Sequence, residues 1–239
     1  MSELPVVSEL STQGPLETRS AAPGERRIVA PESDGQVLLA IDTALGTSVA
    51  LGSGGTVVEA SSDDPRGHTE AIGRLIARVF ELAGTAPESV TGVVVGIGPG
   101  PFTGLRVGIA AAHAFAIGRG VPLLPVHGHE AVALAVLEPG AAPAVRVVQD
   151  AKRRELFVTE YSGLDWAGVP VRTQDPALAV RAEYVPGTHE IWPERIPAAR
   201  LVQLASRRLA AGRDFEPDRA LYLRNPDVYP PAAPKRVST

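Results

Sequence analysis

Cysteine is absent from the 239 residues of this chain, and methionine occurs once. Without a thiol, the chain cannot form a disulfide, a zinc–thiolate site, an iron–sulfur cluster or a cysteine nucleophile. Apolar runs approaching the roughly 20 residues of a membrane-spanning helix are also missing. The first residues, MSELPVVSELSTQG, lack the basic start and apolar core of a secretory signal. We therefore expect a cytoplasmic protein without membrane attachment.

Basic residues are fewer than acidic residues. The chain has 23 Lys and Arg residues against 27 Asp and Glu residues, for a net charge of −4. This balance argues against a strong grip on a phosphate backbone by the chain alone. Local basic groups occur at Lys152–Arg154 and Arg207–Arg208. An ordinary solvated surface is the favoured interpretation of both groups.

The two ends of the chain differ from its body. Residues 1–36 are rich in Ser, Glu, Pro and Gly and show no sustained hydrophobic period. We interpret them as a disordered extension, with a misassigned start codon as the alternative. Residues 229–239 are similar in composition and are interpreted as a flexible tail.

The body of the chain shows strand and helix patterns in a mixed order. Short apolar runs joined by tight turns predict a three-stranded meander at 37–43, 47–51 and 56–60. Helices are predicted at 68–83, 103–118 and 129–137, with strands at 90–98 and 121–126 between them. The second half is predicted to contain a hairpin at 145–161, an irregular segment at 163–200 and a helix at 201–211.

Three segments in this order resemble one protein family. LLAIDTALGTSVAL at 38–51 is similar to the opening of the ASKHA superfamily, which includes actin and sugar kinases. GIGPGPFTGLRVGIA at 96–110 resembles the GxGPGSFTGLRxG signature of the TsaB family. LYLRN at 221–225 resembles the C-terminal YLR motif of that family. Pro101, His127 and Lys152 depart from it, since the family usually has Ser, Ser and Arg there.

The resemblance implies a fold. It is an α/β protein with the ASKHA fold, also called the actin-like ATPase or RNase H-like fold. The fold has two similar subdomains, of which the second is reduced. We expect the first subdomain at residues 37–140 and the second at 141–228.

The resemblance also implies a function and partners. TsaB is a degenerate relative of TsaD, the catalytic subunit that transfers a threonylcarbamoyl group to the adenosine beside the tRNA anticodon. The chain is therefore expected to be a non-catalytic scaffold subunit that binds a TsaD-like catalytic subunit. A TsaE-like ATPase would join the two, tRNA would be reached through the complex, and the chain alone would form a homodimer.

Candidate nucleotide-binding residues lie at the end of the first predicted strand. By resemblance, Asp42 would contact a magnesium–nucleotide through water, and Thr43 and Thr47 would lie near phosphates. The alternative is that Asp42 accepts backbone hydrogen bonds at the hairpin end. We expect no tightly bound cofactor, with ATP or ADP and magnesium at a subunit junction as the other interpretation.

The segment GPGPFTG at 98–104 also has two interpretations. Glycine amides before a helix can form an anion site. Pro99 and Pro101 have no amide hydrogen, which removes donors from such a site. A rigid strand-to-helix turn is therefore favoured, with Thr103 as the helix cap and Phe102 as a packing anchor.

The histidine pattern does not predict a metal site. TsaD-like proteins carry a His-x-x-x-His motif on a helix, where two imidazoles share one face. The corresponding positions here are Gly128 and Val132. His127 and His129 are two residues apart, so a helix would point them in different directions. No catalytic or metal-ligating residue is assigned.

The helices at 68–83 and 103–118 are the candidates for partner binding, because the family resemblance implies a helix bundle shared between subunits. The apolar stripe of the first helix is wider than the seam that one sheet needs. Small residues in the second helix would let a backbone approach closely. The alternative is that the whole stripe is intramolecular core. The predicted interface consists of Ala71, Arg74, Leu75, Arg78, Leu82, Gly104 and Gly108.

Two further functions remain open from the sequence. One is an ASKHA-type, ATP-dependent carbamoyl or phosphoryl transferase that acts on its own. The other is a peptidase, although the chain has no Gly-x-Ser-x-Gly elbow and no convincing Ser–His–Asp arrangement.

Overall fold

The computed structural model describes residues 24–63 and 67–224. These ranges contain ten strands and four α-helices. The strands are β1 (Glu25–Val29), β2 (Leu38–Asp42), β3 (Thr47–Ser53), β4 (Thr56–Ser62), β5 (Gly92–Gly96), β6 (Leu123–Val126), β7 (Ala144–Lys152), β8 (Glu155–Leu164), β9 (Pro170–Val180) and β10 (Glu190–Ile191). The helices are α1 (His68–Ala83), α2 (Phe102–Arg119), α3 (Gly128–Leu137) and α4 (Ala198–Ala210).

The strands form two sheets. The first has the order β1-β4-β3-β2-β5-β6, in which β2, β5 and β6 are parallel and the remaining neighbours antiparallel. The second has the order β10-β7-β8-β9. The parallel strands are reached through α1 and α2, as parallel pairing requires a crossover connection.

The first sheet is covered on both faces, which explains why its central strand β2 is apolar as far as its last residue, Asp42. In β2, Leu39 and Ile41 pack in the cluster that contains α1 and α2. Leu38 and Ala40 point to the opposite face, where they join the cluster that contains α3 and α4. The alternation follows from the two-residue period of a strand.

Helix α4 connects the two parts of the chain. It follows the second sheet in sequence and lies within the predicted second subdomain, but it packs on β2 and β3 of the first sheet. Its first turn lacks a side-chain cap of its own. The carboxylate of Glu59 in β4 accepts a hydrogen bond from the Ala199 amide at 2.7 Å and so takes that place. Burial raises the pKa of Glu59, and the Ala199 amide opposes this shift.

Part of the predicted disordered extension is ordered. Residues 25–29 form β1, which pairs antiparallel with β4 at the edge of the first sheet. The Glu25 carboxylate pairs with the Arg78 guanidinium on α1 at 2.7 Å. The prediction of disorder is therefore wrong for residues 24–36, because strand pairing and this ion pair hold a segment of mixed polarity. Residues 1–23 and the predicted tail at 229–239 lie outside the described residues.

The predicted irregular segment at 163–200 is also partly wrong. It contains β9, an 11-residue edge strand with register shifts against β8. The sequence did not predict this strand because Pro170 and Pro176 argue against a regular strand. Proline is tolerated only at strand starts, edges and bulges, and β9 is an edge strand. No helix among the described residues is long and apolar enough to span a membrane.

The turn between β7 and β8 has unusual backbone geometry. Lys152, Arg153 and Arg154 have φ values of 62°, 53° and 65°. The register pairs Lys152 with Glu155, so Arg153 and Arg154 are the two central residues of the hairpin. A two-residue turn with positive φ at both positions normally uses Asn-Gly or Gly-Gly. Each L-residue in this region costs about 1–2 kcal/mol.

Relief of this strain should stabilise the protein. We expect Arg154→Gly to raise the free energy of unfolding by about 0.5–1 kcal/mol, because glycine adopts positive φ without a Cβ clash. Arg154→Ala is the matched control, since it removes the same side chain but keeps the Cβ atom. Chemical denaturation would measure both, and equal stabilities of the two variants would contradict the prediction.

Candidate functional site

The candidate site lies where the parallel strands of the first sheet end. Asp42, Gly96 and Val126 terminate β2, β5 and β6 at one edge. Ligands of open α/β sheets bind beyond this carboxyl edge. The segment that enters α2 and the residues that start α3 lie at the same edge.

Asp42 is packed tightly at the centre of this edge, with 1% of its surface exposed. Its Oδ1 accepts a hydrogen bond from the Ala44 amide at 2.7 Å, whereas Oδ2 has no hydrogen-bond partner. A Cβ atom added to Gly96 would lie 1.8 Å from Oδ2, and one added to Gly128 would lie 3.2 Å from it. Burial raises the pKa of Asp42 to about 7, and the Ala44 amide opposes this shift.

Thr43 holds α2 against the end of β2. Its hydroxyl donates to the Gly104 carbonyl at 2.7 Å and accepts from the Gly108 amide at 3.0 Å. A Cβ atom at Gly108 would lie 2.3 Å from the Thr43 Oγ1 atom. Both glycines are therefore needed for the close approach of helix and hairpin within this chain.

The Thr47 hydroxyl also has a partner within the chain. Thr47 is 1% exposed, and its Oγ1 lies 2.8 Å from Nδ1 of His68 at the start of α1. Each of the three predicted nucleotide-binding side chains thus forms a hydrogen bond within the chain, although Oδ2 of Asp42 has no partner.

A buried polar chain connects the two sheets beside Asp42. The Gln149 Nε2 atom donates to the Ala44 carbonyl at 3.2 Å, which places Gln149 Oε1 toward His129. His129 Nε2, at 3.1 Å from that oxygen, must then carry the proton. Nδ1 is left to accept from the Thr159 hydroxyl at 2.8 Å. Burial lowers the pKa of His129 to about 4, so the imidazole is neutral at pH 7.

Charged groups continue this polar layer toward the surface. Arg208 binds both carboxylate oxygens of Glu130 at 2.7 Å, and Glu130 is 2% exposed. Arg172 contacts His127 and pairs with Glu216 at 3.2 Å. Burial lowers the pKa of His127 to about 4, while Glu216 opposes and Arg172 adds to the shift. His127 and His129 therefore have separate partners, as their spacing predicted.

The residues at this edge do not fit a magnesium–nucleotide. A carboxylate that supports magnesium must be ionised and reachable by water or phosphate oxygens. Asp42 is enclosed by backbone atoms, and no basic group opposes the effect of its burial. The Thr43 hydroxyl is saturated by α2.

The structure revises the predicted partner interface. Ala71 is 3% exposed, and Leu75 and Leu82 pack against the core between α1, α2 and the sheet. Gly104 and Gly108 face Thr43 of the same chain. The assignment of Ala71, Gly104 and Gly108 to the partner interface is wrong, because these residues are buried within their own chain. Leu75 and Leu82 are half-buried, so their place in the interface stays a prediction.

The two arginines of the predicted interface do reach the surface. Arg74 is exposed, and its Nε donates to the Glu70 carbonyl at 3.2 Å. Arg78 is half-buried and pairs with Glu25 and with Glu81 at 2.8 Å.

A different helix face is open to solvent. On α2, Ala110, Ala114 and Ile117 are exposed at helical spacing, and Ile117 is 77% exposed. On α1, Gly73 and Ala77 are exposed four residues apart. The two helices are neighbours, with the rings of Phe80 and Phe115 stacked at 6.0 Å. We call the set Gly73, Ala77, Ala110, Ala114 and Ile117 the small-residue face.

An exposed aromatic cluster marks the start of α2. Phe102 is 40% exposed, and its ring contacts both the Arg106 guanidinium, at 3.7 Å, and the Tyr222 ring, at 4.8 Å. Phe102 is thus a packing anchor for the C-terminal YLR motif. Thr103 is exposed and forms no cap hydrogen bond, so its predicted capping role is wrong.

Removal of the buried charge at Asp42 should change how stability depends on pH. With a folded pKa near 7 and an ordinary value of 3.8, the native protein loses stability as pH rises from about 4 to 7. Asp42→Asn cannot ionise. We expect its free energy of unfolding to exceed that of the wild type by roughly 1–3 kcal/mol at pH 8, and by much less at pH 4.

Asp150→Asn is the control, because its effect on the free energy of unfolding is expected to have the opposite sign. Burial raises the pKa of Asp150, but the Lys152 amide and ammonium together with Arg181 lower it below its ordinary value. Its carboxylate therefore stabilises the fold at high pH, and the variant should lose stability there. Thermal melts from pH 4 to pH 8 would show a widening gap for Asp42→Asn and a nearly constant loss for Asp150→Asn, whose own pH dependence lies below about pH 4. A gap for Asp42→Asn that does not change with pH would contradict the assignment.

Several of the known proteins that this chain resembles carry names from tRNA threonylcarbamoyladenosine biosynthesis. The family model for TsaD, tRNA N6-adenosine threonylcarbamoyltransferase, matches residues 47–168. The tRNA threonylcarbamoyladenosine biosynthesis protein TsaB of Escherichia coli is 30% identical over 207 residues, or 82% of each chain. The protein of the same name from Haemophilus influenzae is 33% identical over 124 residues, 52% of each chain.

A solved structure shares the fold. The Pseudomonas aeruginosa protein described as similar to the peptidase YeaZ superimposes with a TM-score of 0.71 at 23% identity, covering 79% of this chain and all of that one. The two-sheet architecture and these matches confirm the ASKHA-type fold. The identity and coverage against the Escherichia coli protein place the chain in the TsaB family.

Proposed function

We propose that this chain is a non-catalytic scaffold subunit that binds a TsaD-type catalytic subunit in tRNA threonylcarbamoyladenosine biosynthesis. Its family relatives carry the name of that pathway. The observation that carries the non-catalytic role is the packing of Asp42 and Thr43 at the carboxyl edge of the first sheet. There Asp42 is enclosed and Thr43 is bonded to α2.

Acid–base catalysis would need a titratable group in reach of a substrate. At this edge, Asp42 and His129 are at most 1% exposed, and His127 is 6% exposed. Both nitrogens of His129, Nδ1 of His127 and Oδ1 of Asp42 have polar partners within the chain. Oδ2 of Asp42 lies against Gly96 instead. This arrangement supports a structural use of residues that could otherwise serve chemistry. It also supports the absence of a tightly bound ATP or ADP.

The small-residue face supports partner binding. Small side chains let helix backbones approach closely, and Ile117 offers a large apolar side chain that would be covered in a contact. The match to the TsaD family model covers α1 and α2. A TsaD-type partner of the same fold would present equivalent helices, so the two faces could pack about a pseudo-twofold axis. Two copies of this chain could pack in the same way when alone.

Other components belong to the same proposal. A TsaE-like ATPase would join the complex of the two subunits, and tRNA would be modified by the catalytic subunit within it. Any ATP or ADP with magnesium would then be held at a subunit junction or by the partner.

Transfer activity should depend on the partner. We expect no modified tRNA when this chain is incubated alone with threonylcarbamoyl-adenylate and tRNA, and product when a TsaD-type subunit and a TsaE-like ATPase are added. Mass spectrometry of digested tRNA would measure the modified nucleoside. Product formed by the repurified chain alone would overturn the non-catalytic role and favour the transferase alternative.

Partner binding should depend on Ile117. We expect Ile117→Glu to weaken binding of the TsaD-type subunit at least tenfold, because it would bury a charge without a partner. Val185→Glu is the matched control, since Val185 is also 77% exposed but lies outside α1 and α2. Each exposed substitution should change the free energy of unfolding by less than about 0.5 kcal/mol.

Light scattering with size-exclusion chromatography would measure the complex and the homodimer in both variants. Circular dichroism would confirm that they are folded. If Ile117→Glu is folded and binds as tightly as Val185→Glu, the small-residue face is not the interface.

A further inference from the structure

Basic side chains gather at the end of the β7–β8 hairpin. We call this group the basic turn; it comprises Lys152, Arg153, Arg154, Arg181 and Arg224. Lys152 and Arg181 each pair with Asp150 at 3.1 Å. Arg224 pairs with Glu155 and donates to the Ala151 carbonyl at 3.3 Å. Shared carboxylates therefore hold three separate segments of the chain together at this point.

The turn itself is chemically unexpected. Arg153 and Arg154 occupy the two central positions with positive φ, where Asn-Gly would be free of strain. Backbone strain of this kind persists where the side chains serve a function. A pair of arginines at positions suited to glycine indicates that the charge itself is used.

The charge balance around the turn is opposite to that of the molecule. Lys152, Arg181 and Arg224 share two carboxylates, those of Asp150 and Glu155, so the basic groups of these ion pairs outnumber the acidic ones. The whole chain carries a net charge of −4, so the local excess of positive charge is opposite in sign to that of the molecule. The side chain of Lys152 is 72% exposed and that of Arg181 is 48% exposed. A polyanion would be attracted here and repelled elsewhere.

An exposed aromatic ring lies beside these cations. Trp192 is 47% exposed, and the Arg181 guanidinium lies 5.9 Å from its ring centroid. Exposed aromatics next to arginines are typical of surfaces that contact single-stranded nucleic acid, where bases stack and cations meet phosphates. An acidic peptide would have no comparable use for the ring.

We propose that the basic turn, with Trp192, binds the phosphodiester backbone of tRNA directly. This inference rests on the proposed function, which brings tRNA to the complex. It adds that this chain contributes a contact of its own, through the second sheet. The small-residue face on α1 and α2 stays available for the catalytic subunit.

Charge reversal at the turn tests the contact. Fluorescence anisotropy would measure binding of labelled, unmodified tRNA to the full chain and to its complex with the TsaD-type subunit. Arg154→Glu should weaken binding about fivefold or more at low salt, and the slope of log K against log salt should become shallower by about 0.7–0.9 for each lost contact. Lys152→Glu combined with Arg154→Glu should weaken it further.

Arg219→Glu is the matched control. Arg219 is exposed, belongs to no ion pair among the described residues and lies outside the basic turn. We expect it to leave tRNA affinity within about twofold of the wild type, although the net charge changes equally. Melting temperatures would confirm that all variants are folded.

Binding of the TsaD-type subunit, measured on the same variants, separates the two proposals. If the turn variants bind the subunit and tRNA like Arg219→Glu, the tRNA contact is overturned and the scaffold function stands. If the wild-type chain binds neither the subunit nor tRNA, both proposals fail. Weaker tRNA binding by the turn variants, with unchanged subunit binding, supports the contact.

Discussion

Helix α2 lies so close to the end of β2 that only glycine fits between them, and the rest of the molecule depends on this contact. The Thr43 hydroxyl bridges the Gly104 carbonyl and the Gly108 amide, and no space remains for a Cβ atom at either glycine. The same contact fixes the rotation of α2 about its axis. Because the side of α2 with Gly104 and Gly108 contacts Thr43, the side with Ala114 and Ile117 faces solvent.

The polar residues at this edge belong to the core of the chain. A carboxylate, two histidines and a glutamine would be costly to bury without hydrogen bonds. Most of their atoms have partners within the chain, and those partners come from both sheets, as in the bonds from Gln149 to Ala44 and from His129 to Thr159. The exception is Oδ2 of Asp42. These bonds tie the two sheets together.

Strong periodic patterns made some elements readable from the sequence. The apolar stripe of α1 gave its limits correctly, because one face is polar and the other packs on the sheet. Helix α2 is apolar on nearly every side, so its pattern could not show which face meets Thr43 and which stays exposed. β1 and β9 were missed because they are edge strands whose order comes from pairing with β4 and β8. The nucleotide-site residues were identified by resemblance, but their closure depends on spatial neighbours, such as Gly96 and Gly128, that spacing does not reveal.

The position of α4 has a consequence for how the protein is made. The strands of the first sheet are complete by Val126, but one face of that sheet is covered by α4, which ends at Ala210. At synthesis rates of 5–20 residues per second, the 84 intervening residues take roughly 4 to 17 seconds to add. During that time Ala40 and Val94 lack their final cover on a nascent chain. The growing polypeptide thus exposes an unfinished apolar surface to chaperones until α4 has been synthesised.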